Sequence, residues 1–245
     1  MCADNSKIQV LLESSDELSF VRKRFVFGVT IDYKAGRNMP DFPTAAAFLE
    51  ILTNTALEVV VRDFIFEGTP FVFRDEPELL NTLQRELANA LQVVPNNIVI
   101  VGSAKIGFSL SPDNFPRNFS DESDIDVVVV DESLFDRMWR GILTWHYPRR
   151  RTGLAGAELS WMRGRRRDIY SGWFRPDKIR YGGLMFPEVL TPVRDLSTQW
   201  FNAFQALSLL PEYAHRSVSG RLYRTWDHAL FYHMDGLRQI KALKQ

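Results

Sequence analysis

Apolar and polar positions along this chain fall into stretches of distinct rhythm. From Thr44 to Arg62, apolar residues recur at Ala47, Phe48, Ile51, Leu52, Ala56, Val59 and Val60. That three-to-four spacing predicts a helix with a broad buried face and Thr44 as its N-cap. Asp75-Glu-Pro-Glu78 resembles a capping box with proline in the first turn, and Leu79, Leu80, Leu83, Leu87 and Leu91 continue it as an amphipathic helix. The rhythm then changes. Ile98-Val-Ile-Val101 and Ile125 to Val130 are short, nearly continuous apolar runs, the pattern of strands covered on both faces. Residues 21 to 33 also read as a strand, bent at Gly28.

Asp131-Glu-Ser133 can cap a further helix bearing Leu134, Phe135, Met138 and Ile142 on one side. Asp168-Ile-Tyr-Ser-Gly-Trp-Phe174 is the expected third strand, ended by Arg175-Pro-Asp177. Beyond Pro192 the spacing is helical, first through Leu196, Trp200, Phe204 and Leu207, then through Leu222, Trp226, Leu230 and Leu237. These elements predict an α+β fold: a small mixed sheet flanked by helices, with a C-terminal helical part. The expected organisation is residues 1–95 as an N-terminal strand and helices, 96–180 as the sheet-bearing core and 181–245 as the helical part, forming one compact unit.

Composition changes this picture little. In 245 residues, 30 Lys and Arg balance 30 Asp and Glu, so bulk charge does not mark a nucleic-acid binder. Distribution matters more. Arg149, Arg150, Arg151, Arg163, Arg165, Arg166 and Arg167 gather within residues 149–167, opposed only by Glu158. Arginine without lysine suits bidentate phosphate contacts, so this segment is a candidate surface for nucleic acid or an oligonucleotide, with Trp161 and Tyr170 able to stack on bases. Cys2 is the only cysteine, which excludes an internal disulfide and a multi-cysteine zinc site. Its surroundings carry no export signal and no run is apolar enough to span a bilayer, so the expectation is a cytoplasmic protein without a membrane partner.

The chemistry lies where the two apolar runs meet polar residues. Gly102-Ser103 follows the first run, and Asp124-Ile125-Asp126 opens the second. Strand side chains alternate faces, so Asp124 and Asp126 project the same way about 6.6 Å apart, within reach of shared divalent ions. Glycine lets backbone approach a phosphate closely, Ser103 adds a hydroxyl, and Lys105 is a further candidate phosphate contact.

Val101-Gly102-Ser103 together with Asp124-Ile125-Asp126-Val127 resembles the signature of the DNA polymerase β-like nucleotidyltransferase superfamily. The wider string from Gly102 to Pro112, followed by Ser123 to Val127, resembles small bacterial nucleotidyltransferases found among antiviral defence proteins. The resemblance implies a palm sheet and magnesium, or manganese, held by Asp124 and Asp126. It implies a nucleoside triphosphate gripped at Gly102 and Ser103, and a third carboxylate from a neighbouring strand. Asp168 is the first candidate for that third metal and catalytic position, ahead of Asp177 and Glu158. The implied reaction moves a nucleoside monophosphate onto a hydroxyl and releases pyrophosphate, making a nucleotide or oligonucleotide signal for a defence effector protein. Alternatives are transfer onto tRNA or protein, and a catalytically inactive nucleotide binder. The segment from Ser103 to Asp124 is longer than the superfamily's usual loop.

Overall fold

A computed structural model describes residues 42–149, 156–179 and 187–243, all within the unit Met39–Gln245. The expected strand over residues 21–33 lies outside them. Four strands form one mixed sheet: β1 (Ile98–Val101), β2 (Ile125–Val130), β3 (Trp173–Phe174) and β4 (Val218–Tyr223), in the order β1-β2-β4-β3. β2 runs antiparallel to β1 and parallel to β4, and β3 closes the far edge antiparallel to β4. Eight α-helical segments surround the sheet, so the described chain is an α+β fold. No helix among the described residues is long and apolar enough to cross a membrane.

Strand alternation divides the core in two. Ile98, Ile100, Ile125, Val127 and Val129 face one way, into a cluster with helices α3 (Glu78–Leu91), α5 (Glu132–Arg149) and α7 (Thr191–Ser208). Val101, Val128, Val130 and Tyr223 face the other way, against α1 (Ala45–Asn54), α2 (Leu57–Val60) and α8 (Trp226–Leu243). Asp126 belongs to the second face by alternation and is the one exposed residue in β2.

The expected helix over 44–62 is interrupted. α1 is capped by Thr44, whose hydroxyl accepts the amide of Ala47, but it ends at Asn54. There the Thr53 and Asn54 side chains donate back to the Leu49 and Glu50 carbonyls, and Thr55 turns extended. Lys241 of α8 donates to the freed carbonyls of Leu52 and Thr53, at 3.1 and 3.2 Å. α2 then passes into a π-helical turn over Val61–Phe66. α3 forms where expected, without a side-chain cap. α5 starts as expected, with the Asp131 carboxylate accepting the Leu134 amide at 2.7 Å.

Two expectations fail on the far side of the sheet. Residues 168–171 are not strand; they finish helix α6 (Gly156–Ser171), and Gly172, at φ 69°, turns the chain into β3. An arginine-rich run keeps good helix propensity, and that outweighed the aromatic residues after it. The C-terminal part is also not wholly helical. It supplies β4, which lies in the sheet interior beside β2 and takes Leu222 out of the expected helix.

Candidate active site

The site begins where β1 ends. Val101 pairs with Asp126, so the next residue, Gly102, lies directly beyond that carboxylate. Gly102 adopts φ 68° and ψ −148°, a conformation essentially reserved for glycine. A Cβ added there would stand 3.2 Å from Asp126 Oδ2. The missing side chain therefore leaves the gap between the turn and the acid. Ser103 opens the short helix α4 (Ser103–Ile106); it is half-buried, and no described residue takes up its hydroxyl.

The long excursion from Gly107 folds back on itself. Phe108 bridges Asn118, the Ser109 amide donates to Arg117, and the Phe119 amide donates to the Gly107 carbonyl at 2.9 Å. Its ends therefore meet, and the extra length does not separate Gly102-Ser103 from the acids. Arg216, just before β4, fixes the return. Its guanidinium donates to the Ser120 carbonyl and to Asp121 Oδ1, the latter at 2.8 Å, and lies over the Phe119 ring. The Ile125 amide donates to the Ser217 carbonyl at 2.8 Å, which sets Asp124 at the mouth of β2.

Asp124 and Asp126 are both exposed. Protein nevertheless packs densely around the Asp126 carboxylate. That desolvation, with the like charge of Asp124, lifts its pKa above the usual carboxylate value. Arg221, Arg175 and a long contact from the Ser219 hydroxyl to Oδ1, at 3.5 Å, act in the opposite sense. Ser219 is the residue of β4 in register with Asp126. β4 reads Val-Ser-Gly-Arg-Leu-Tyr, so the neighbouring strand brings a hydroxyl and an arginine to the acids and no carboxylate.

Asp168 is not the third acid of this constellation. It lies on α6, buried, with Arg165 Nη2 at 2.9 Å from its carboxylate. Burial raises its pKa, and Arg165 and Arg167 oppose the rise. α6 leads into β3, which pairs with β4 at Leu222 and Tyr223, at the opposite end of β4 from Ser219. Asp168 is not among the charges acting on Asp126. Asp177 pairs with Arg175 at 3.3 Å and with Lys178 at 3.5 Å, and Glu158 pairs with Arg149 at 3.6 Å.

Lys105 also has a different place from the one expected. It is buried, and its ammonium donates to the carbonyls of Glu67 and Gly68, the latter at 2.7 Å. Desolvation pulls its pKa down to about 8, against the charge of Glu67. Its ammonium thus clasps the turn that follows the π-helical segment, on carbonyls and not at the exposed acid pair.

Among the described residues no three His, Cys, Asp or Glu converge on one point. The two exposed carboxylates still suit magnesium, which is commonly held through one or two carboxylates plus substrate phosphates and retained waters. Manganese accepts the same oxygen donors. Ser219, Arg221 and Arg175 complete the site and were not expected from the sequence. The signal for β4 was its two-residue alternation, with Val218, Gly220 and Leu222 on one face and Ser219, Arg221 and Tyr223 on the other.

The arginine segment divides among its described residues, with Arg150 and Arg151 lying outside them. Arg149 stacks on Trp145 and pairs with Glu158, and Arg165 pairs with Asp168. Arg163, Arg166 and Arg167 are exposed, as is Tyr170, whereas Trp161 is buried against Trp145. Compared with protein-family models, curated proteins and solved structures, the chain matches none.

Proposed function

We propose that this chain is a nucleotidyltransferase of the DNA polymerase β-like kind, with the four-stranded sheet as its palm. The observation that carries the reading is the approach of Gly102 to Asp126. A turn that only glycine adopts is pressed against a strand acid, with a second acid two residues away and a serine hydroxyl left available. Two like charges together in a crowded site call for a cation between them. Magnesium bound there would offset phosphate charge and make an acceptor hydroxyl more acidic.

The chain's own residues supply position. Gly102 and Ser103 receive the triphosphate, and Asp124 and Asp126 hold its reacting end at the rim of β2. The acceptor oxygen bonds to the α-phosphorus, the bond from that phosphorus to the bridging oxygen breaks, and pyrophosphate leaves. The acceptor proton passes to solvent, because β4 places no carboxylate beside Asp126. The product is a nucleotide or short oligonucleotide suited to signalling through an effector protein; transfer onto tRNA or protein is the competing outcome.

The test is incubation with each NTP and dNTP and magnesium or manganese, with and without RNA or protein acceptors, and products identified by mass. Wild type releases pyrophosphate with at least one nucleotide, and D124A and D126A release none. A second reading, nucleotide binding without turnover, is favoured by Ser219 standing in register where an acid would serve the acceptor. It predicts saturable nucleotide binding with no pyrophosphate from any nucleotide.

A further inference from the structure

Arg221 lies two residues beyond Ser219, on the sheet face of Asp126. Its guanidinium stands 4.5 Å from the centre of the Tyr232 ring and 5.2 Å from that of Trp173. Such stacking holds a guanidinium plane in place without using up its N–H donors. Arg221 makes no ion pair with a described carboxylate, though its charge reaches Asp126. Arg175 follows β3 on the same face and also acts on Asp126; its Nη2 reaches Asp177, while its buried Nε has no hydrogen-bond partner. Two arginines therefore approach the acid pair from the β4 side, Arg221 with one hydrogen bond turned to the Tyr223 hydroxyl and Arg175 with one to Asp177, so each keeps further N–H donors.

Sheet order gives these arginines a side. Gly102 and Ser103 adjoin Asp126 from β1, whereas Ser219, Arg221 and Arg175 adjoin it from β4 and β3. If the donor triphosphate occupies the β1 flank, the β4 flank belongs to the acceptor. A neutral sugar or a protein hydroxyl has no use for two arginines there; a phosphate does, because a guanidinium fork matches its oxygens. We propose that Arg221 and Arg175 form an anion subsite for the phosphate of a phosphorylated acceptor, a nucleotide or an oligonucleotide end. The proposal rests on the transferase reading for its assignment to the acceptor, and on the two arginines alone for the anion.

Calorimetric titration without metal tests the anion, using a nucleoside 5′-monophosphate and the corresponding nucleoside. Wild type is expected to bind the monophosphate about tenfold or more tightly than the nucleoside. R221Q loses that preference, and R221K, which keeps the charge but not the fork, recovers only part of it. An R221Q protein that melts like wild type and keeps the full preference overturns the subsite. R175Q is the second variant and must weaken the preference in the same direction; no change there removes Arg175 from it. Steady-state kinetics tests the assignment: R221Q raises KM for a phosphorylated acceptor and leaves KM for the donor unchanged. A rise in donor KM alone overturns the acceptor assignment. Absence of pyrophosphate release from wild type, with the binding preference intact, refutes the transferase reading and the acceptor assignment with it, and leaves the anion subsite standing.

Discussion

Gly102 and Ser219 flank Asp126 and set what its carboxylate can do. At Gly102, any side chain meets a backbone conformation unfavourable to L-residues and an acid oxygen 3.2 Å away. Gly102→Ala is expected to abolish transfer and cost about 1–3 kcal/mol of stability through that strain, read by pyrophosphate release and urea melts. His233 gives a separate check on packing. It is wedged against Phe66 and Tyr232, its Nε2 is buried without a partner, and burial with the charge of Arg221 pulls its pKa down to about 4. Between about pH 4 and 6.5 the unfolded chain then holds a proton that the folded one lacks, so stability falls as pH drops through that window. H233F should flatten this acid loss in melts at pH 7 and pH 5 relative to wild type. An unchanged slope would contradict the burial. Gly102, Ser103, Asp124 and Asp126 were legible because each half of the pattern is contiguous in sequence. Ser219 meets Asp126 across 93 positions of chain, and only strand pairing brings it there.

At the scale of elements, β1, β2, α3 and the start of α5 were legible because one rhythm runs through each. β4 was obscured because Gly220 stands at its centre, and the reason is packing. A Cβ on Gly220 would lie 2.4 Å from the Phe204 ring of α7. Gly220→Ala should therefore destabilise the fold by about 1–3 kcal/mol through overpacking, and F204L should recover part of the loss in the same denaturant titration. α6 was obscured differently: its Arg and Tyr positions resemble a loop leading into a strand until they are placed at about 100° per residue. Arg163, Arg166, Arg167 and Tyr170 then share one exposed arc, opposite buried Trp161 and Asp168. A positive stripe with an aromatic at its end suits single-stranded nucleic acid. Replacing Arg163, Arg166 and Arg167 with Gln should weaken binding of a labelled RNA and lower the salt slope by up to about three charges' worth. An unchanged slope would mark the stripe as plain solvated surface.

Across the whole molecule, the sheet order makes one site from three distant stretches of chain. β1 brings the glycine turn, β2 the acids and β4 the serine and arginine, while the excursion between β1 and β2 closes upon itself. Helices cover both faces of the sheet, and Asp126 alone in β2 stays exposed, at the strand end where Gly102 and Ser219 flank it. The activity proposed for this junction is nucleotidyl transfer. Its most direct test is pyrophosphate release by purified protein across all NTPs and dNTPs with magnesium, wild type beside D126N. Wild type should release pyrophosphate with at least one nucleotide, and D126N should lose about a hundredfold or more of that rate. Equal release by both proteins, or none by wild type with any nucleotide, would contradict it.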